Sequence, residues 1–353
     1  ALVNPRRPGS AYPNPDLCGV AVAFKLAEAL ARHDPACLPA GFAEEVLDLV
    51  ALGLVADQMP LVGENRTLVH RGLQRLGAGA TRRPGLDALL GLAGLDRSFP
   101  VTAANLAYQV APRLNACGRV GDPDTALRLL LTDDGVEAAA LAQQAERDNR
   151  SRRVMDQQVK EEAVAQAEPF VARGDPGLVL AAPGWHKGVI GISASRLVEQ
   201  YGRPAVLIKV EGDEARGSAR SVPGVDIKAV LDRCAPLLVR WGGHAQAAGM
   251  TLLSEDVDRF RDLFLAALAD ERLRSRLRTE QALSYAPSVD YMPLTADQAH
   301  FAMFADATRD RSVELAESFL DVLPGLSEVT EVDLAPLRRT MLAGFEDAKA
   351  IRP

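Results

Sequence analysis

Three glycine-punctuated stretches of this sequence carry the side chains best placed to do chemistry. In "RWGGHAQAAGM" (240–250), His244 follows Gly242 and Gly243 and precedes small residues only. Paired glycines let a backbone approach a ligand closely or take positive φ. The stretch reads as a loop shaped for a close visitor, with His244 its one reactive side chain. In "APGWHKGVIGISASRL" (182–197) a strand ends, a turn carries His186 and Lys187, and a helix begins. Free N–H groups at a helix start accommodate an anion, and the two side chains add donors. In "RGSARSVPG" (216–224), Ser218 and Arg220 lie two residues apart, on one face of a strand. A hydroxyl beside a guanidinium suits a phosphate. Each stretch alone has a plain alternative: an ordinary turn, a solvated strand, a structural histidine. Three such loops within 182–250 favour a site for an anionic ligand.

The first half offers less. Asp57 ends the apolar stretch "VALGLVADQMP". A carboxylate at a helix C-terminus opposes the macrodipole and calls for a positive partner, which a divalent metal or an arginine such as Arg66 or Arg119 would supply. "RLNACGRVGDPDTA" (113–126) places Arg113, Asn115 and Arg119 in a turn-like stretch, fit for a phosphate or for structural pairs. No G-x-x-x-x-G-K-[ST] occurs, which excludes a P-loop, and "GVIGIS" lacks the G-x-G-x-x-G spacing.

The elements that must position these residues fall into two patterns. Up to about residue 112 the chain reads as helical. Residues 17–33 are apolar nearly all round and so expected to be buried, 44–57 form a second apolar helix, and 64–77 are amphipathic. From Gly135 to Arg173 a charged stretch with helical spacing has no Gly or Pro before Pro169. If continuous it would span about 50 Å and act as a strut between domains. Then the period changes. Strands are expected at 177–182, 204–210, 215–221 and 249–253, with helices at 190–202, 225–240 and 255–270, giving a compact α/β domain. The tail from 273 reads as mostly helical, with a loose middle, "SYAPSVDYMPLTADQ".

Composition is that of an ordinary soluble protein: 353 residues, 48% hydrophobic and 25% charged, with a net charge of −7. The acidic balance lowers the expectation of nucleic-acid binding without excluding a locally basic channel. Four scattered cysteines (18, 37, 117, 234) form no Cys-x-x-Cys, which argues against a zinc site and a disulfide framework and for a cytoplasmic protein. No apolar run suits a membrane span, and "ALVNPRRPGS" lacks the layout of a signal peptide.

"VNPRRPGSAYPNPDLCGVAVAFKL", "LVALGLVADQMPLVGENRTLVHRGL", "RLNACGRVGDPDTALRLLLTDD", "GWHKGVIGISASRLVEQYGRPAVLI", "GSARSVPGVDI" and "RWGGHAQAAGMTL" together resemble bacterial RecJ. RecJ proteins are single-strand-specific 5′→3′ DNA exonucleases of the DHH phosphoesterase superfamily. The resemblance implies an α/β chain in four parts: 1–125, the helix-rich C-terminal part of a DHH catalytic domain; 126–173, a long linking helix; 174–272, a mixed-sheet DHH-associated domain; and 273–353, a helical tail. It implies that Asp57 is a catalytic metal ligand for Mn²⁺ or Mg²⁺. Arg119, His186, Ser218, Arg220, Gly242, Gly243 and His244 would contact single-stranded DNA with a phosphorylated 5′ end, and single-strand-binding protein or a helicase would be a partner. The family's Asp-His-His motif lies upstream of the matching region, and no His-His pair occurs here, so the chain is expected to be a fragment. Beyond about 285 the family continues into an oligonucleotide-binding barrel, of which only "PSVDYMPLTADQ" resembles the opening. Two other functions fit the same residues: a DNA-binding relative without catalysis, or a phosphodiesterase of short oligonucleotides or cyclic dinucleotides.

Overall fold

Contacts divide the chain into two compact units, Ala1–Arg153 and Val154–Pro353. A computed structural model describes residues 3–77, 83–95, 100–274, 288–293 and 299–304.

Among its described residues the first unit has helices and no strand. Helices α1 (Gly19–His33), α2 (Phe42–Glu45), α3 (Leu47–Ala56), α4 (Gly63–Gly77), α5 (Pro84–Leu92) and α6 (Ala103–Asn105) lead through a π-helical turn at Leu106–Val110 to α7 (Ala111–Val120) and α8 (Pro123–Leu131). Helix α3 is the centre of the core, with Leu47, Val50, Ala51, Leu52, Leu54 and Val55 all buried. Gly72 lets α4 pack closely on it, since a Cβ there would fall 2.2 Å from the Leu47 carbonyl oxygen. Two expectations are corrected. Helix α1 buries Ala21 and Phe24 but leaves Leu26 and Leu30 exposed, because only one of its faces packs against the rest of the unit. Arg113, Asn115 and Arg119 lie on a regular helix, not in a turn; Pro112 sits in its first turn, where a missing N–H costs nothing.

Helix α9 (Gly135–Ala172) is continuous for 38 residues, about 57 Å. Pro169 is tolerated within its last turn. The helix is more than a strut, since it buries a stripe of alanines at helical spacing, Ala138, Ala142, Ala145, Ala163 and Ala167.

The second unit is built on a five-stranded sheet, β1 (Leu178–Ala182), β2 (Ala205–Glu211), β3 (Glu214–Arg220), β4 (Leu238–His244) and β5 (Ala247–Leu253), ordered β1-β2-β3-β5-β4. β1 and β2 are parallel and joined through α10 (Ile190–Tyr201); the remaining pairs are antiparallel. One face packs Ala215, Ala219, Met250 and Leu252 against α11 (Ile227–Arg233) and α12 (Val257–Arg274). The stretch 225–240, expected as one helix, divides here. α11 stops at Arg233, Pro236 follows in a short 3-10 turn, and the chain re-enters the sheet as β4. Thus "RWGGHAQAAGM" is a β-hairpin rather than a loop. The strand escaped notice because β4 is an edge strand, mostly exposed, without buried alternation.

The loose middle of the tail holds β6 (Ser288–Pro293), paired antiparallel with β7 (Ala299–Phe304), and only β7 falls where a helical pattern was expected. Alternation in "SVDY" has period 2, which favours a strand. The helical expectation for 305–353 lies outside the described residues.

Candidate nucleic-acid interface

The face of the sheet opposite α11 and α12 gathers most of the residues singled out from sequence. Register aligns three cross-strand rows on it. Arg220, Ala247 and His244 form one; Ser218, Gly249 and Gly242 the next; Arg216, Thr251 and Arg240 the third. Successive rows are about 6.8 Å apart, two residues along a strand. The face is therefore cationic at its ends, with a floor of glycine and alanine between.

Arg220 donates from Nη1 to Ser218 Oγ at 2.9 Å and to its neighbour's carbonyl, Ala219 O, at 2.8 Å. The first turn of α10 lies over this pair. A Cβ on Gly191 would come 2.8 Å from Arg220 Nη2 and 3.0 Å from Ser218 Oγ. Guanidinium, hydroxyl and helix N-terminus thus converge, a combination suited to a phosphate.

The two histidines share one local device. His244 Nδ1 accepts the Gln246 backbone N–H at 3.3 Å, and His186 Nδ1 accepts that of Gly188 at 3.1 Å. With Nδ1 engaged as acceptor, the proton of the neutral ring sits on Nε2. Each ring is therefore a donor through Nε2. His244 is exposed in Arg220's row, whereas His186 is half-buried at the start of α10. The loop around His186 is anchored by Trp185, 2% exposed, whose Nε1 donates to Glu162 at 2.8 Å. Farther along, Asp156, on α9 and 1% exposed, accepts from Ser193 Oγ and pairs with Arg196, each at 2.9 Å. Trp185 and Asp156 are thus framework, fixing the start of α10 over the sheet.

The glycines differ. Gly243 has φ of 148°, and a Cβ there would strike Ala247 O at 2.4 Å and Ala248 Cα at 2.5 Å. The hairpin requires it. A Cβ on Gly242 would meet nothing within 4 Å, so this glycine keeps the floor of the face clear.

Asp57 and Arg119 belong to the other unit. Asp57 is the exposed C-cap of α3. The helix closes with Gln58 N–H on Val55 O and Met59 N–H on Leu54 O, and Gln58 takes φ of 55°. That is a Schellman closure with glutamine in the place glycine prefers. Among the described residues no arginine pairs with Asp57, and no group of three or more His, Cys, Asp or Glu could hold a metal ion. The neighbouring Cys18 thiol is pushed up by burial, then by the Asp57 charge. Arg119 and Asn115 are exposed one turn apart and line a shallow recess of about 390 Å³ with Pro123 and Ala126. Arg113 is structural, its Nε 2.6 Å from Glu146.

Sequence reasoning missed Gly191, Arg216 and Arg240 as parts of the face. The signal was available as a period of two, Arg216–Ser218–Arg220 and Arg240–Gly242–His244, once both are read as strands.

A family model described as the DHHA1 domain matches residues 174–270, the sheet and its helices. RecJ of Bacillus subtilis, a single-stranded-DNA-specific exonuclease, is 40% identical over 275 residues, 77% of this chain and 33% of its own length. The chain is related to RecJ. RecJ of Escherichia coli is 36% identical over 302 residues, 81% of this chain and 52% of its own. The chain thus spans a third to about half of these relatives. A crystal structure of exonuclease RecJ bound to manganese superposes with a TM-score of 0.64 at 34% identity, covering 74% of this chain and 63% of that one. RecJ of Thermus thermophilus with Mg²⁺ gives 0.65 at 29% identity, covering 84% and 50%. Both agree with the mixed α/β architecture described above.

Proposed function

We propose that this RecJ-related chain is the substrate-gripping part of a single-stranded-DNA-specific 5′→3′ exonuclease, a hydrolase of phosphodiester bonds serving DNA repair and recombination. Ser218 and Arg220 take the terminal 5′-phosphate beneath α10, and His244 donates from Nε2 in the adjoining row. Gly242 and Gly243 keep the floor open and the hairpin closed, His186 adds a donor at the start of α10, and Arg119 on α7 is assigned separately as a contact to single-stranded DNA. The observation carrying this reading is the convergence of Arg220, Ser218 and the first turn of α10, which Gly191 alone makes possible. Donors of this kind fix phosphates without reading sequence.

Asp57 is assigned as one ligand of a Mn²⁺ or Mg²⁺ ion in the intact protein, where such an ion would activate water and offset charge on the scissile phosphate. The described residues do not by themselves fit such an ion. The 353-residue chain alone is therefore expected to bind single strands without cutting them. No described helix is long and apolar enough to cross a membrane. We assign the protein to the cytoplasm, with single-strand-binding protein or a helicase presenting its substrate.

The test is nucleotide release by the intact protein with Mn²⁺. The proposal expects mononucleotides from the 5′ end of a phosphorylated single strand and little release from blunt duplex. Equal attack on duplex, or release from the 3′ end, would contradict it. Binding without hydrolysis by the intact protein would favour the non-catalytic alternative.

A further inference from the structure

From the row of Ser218 to that of Arg216, the open face deepens into a recess of about 490 Å³ that Ser218, Ile190 and Trp241 also line. Its floor is Gly217, Gly242 and Gly249, and its rim carries Lys187, Arg216 and Arg240, with no carboxylate in the lining. Such a rim only donates, so it selects a ligand rich in acceptors.

Among the described residues of this unit several cations are matched, Arg233 with Asp270, Arg196 with Asp156, Lys228 with Asp232 and Lys209 with Glu211. Arg216 pairs with Glu214, toward the β2–β3 turn. Arg240 and Lys187 are exposed, and among the described residues neither makes a hydrogen bond or ion pair. Glu211, held below the usual carboxylate range chiefly by the hydrogen bond from Lys209, feels Lys187 only as the last of several weaker influences. Two cations without a partner among the described residues, facing one concavity that no carboxylate lines, make it attractive to an anion from outside.

We propose that this recess is a second phosphate subsite, with Arg240 and Lys187 as its ligands and Arg216 at its edge. It holds a phosphate group adjacent to the one at Ser218–Arg220. The row spacing of about 6.8 Å lets one extended ligand reach both. The proposal rests on the reading of Ser218–Arg220 as the terminal-phosphate site. The second phosphate comes either from the next diester of a strand or from the β-phosphate of a polyphosphorylated end.

The experiment titrates the 353-residue chain with a fluorescent 5′-phosphorylated dT12 strand, inorganic phosphate and inorganic pyrophosphate. Wild type is compared with Lys187→Gln/Arg240→Gln and with Arg220→Ala. Circular dichroism confirms the fold, and Arg240→Glu gives an independent variant should the double one be impaired. The double variant should bind the strand about 10-fold or more weakly, with the salt dependence reduced by about one phosphate contact, while its affinity for inorganic phosphate stays unchanged. A lost preference for pyrophosphate over phosphate identifies the polyphosphate source; an unaltered preference with weakened strand binding identifies the diester. Unchanged strand affinity and salt slope in both recess variants, with Arg220→Ala impaired, would overturn the second subsite and leave the first standing. Unchanged strand binding in Arg220→Ala as well would overturn both.

Discussion

Gly191 stands so close over Arg220 that a methyl group at 191 would fall 2.8 Å from the guanidinium. The helix that closes over Ser218 and Arg220 can descend onto the sheet only because position 191 has no side chain. Gly191→Ala should therefore displace the Arg220 side chain, whose flexible end can yield without disturbing the backbone. Alanine also favours the helix by up to about 1 kcal/mol. Unchanged or slightly raised melting temperature with about 10-fold weaker binding of a 5′-phosphorylated strand is expected. Melting curves and anisotropy on one preparation check it.

Adjacent glycines at 242 and 243 should respond in opposite ways. Gly243→Ala forces a Cβ into the Ala247–Ala248 backbone at positive φ and should cost about 3 kcal/mol. Gly242→Ala meets nothing within 4 Å and should leave stability within about 0.5 kcal/mol. The stable variant should nonetheless bind strands less well, because its methyl stands on the floor. Chemical denaturation of both variants, beside strand titration of Gly242→Ala, measures the contrast.

The fold was legible where side chains alternate or repeat strongly, as in "GLVLAA", "PAVLIKV" and the unbroken stretch of α9. It was illegible at β4, whose exposed arginine, tryptophan and glycines carry no burial pattern, and at β6–β7, short strands inside a tail of helical composition. Of the site, Ser218, Arg220 and His244 could be found because strand spacing and glycine flanks mark them. Gly191 could not, since its meaning lies in a neighbour 29 residues away that only the folded sheet brings beneath it. Arg240 was hidden because its strand was.

Burial raises the thiols of Cys117, to about 11, and Cys234, to about 12. Unfolded thiols ionise near pH 8.5. Below that pH both states hold the proton and the full stability is present. As pH rises further only the unfolded chain loses protons, so stability falls by up to about 1.4 kcal/mol per pH unit per thiol until each folded thiol ionises. Cys234→Ala should begin less stable at neutral pH and show a shallower decline above about pH 8.5. Denaturation midpoints across that range decide it; parallel declines would remove Cys234 from the account.

Asp57 caps α3 without an arginine partner among the described residues, on a helix whose final carbonyls are already satisfied. Asp57→Ala should leave the melting temperature of the intact protein within a degree or two, or raise it slightly, since a charge unfavourable to the helix dipole is removed. Mn²⁺-dependent cleavage should be lost while strand binding persists. A destabilised yet active variant would make Asp57 structural.

The most direct test of the account asks whether Arg220 reads the terminal phosphate. Affinities of the 353-residue chain for dT12 with and without a 5′-phosphate are measured at one salt concentration, for wild type and Arg220→Ala. Wild type should prefer the phosphorylated strand by about 10- to 100-fold, the worth of a charge-assisted hydrogen bond, and the variant should bind both strands alike. A variant that keeps the preference, or weakens both strands equally, would contradict the assignment.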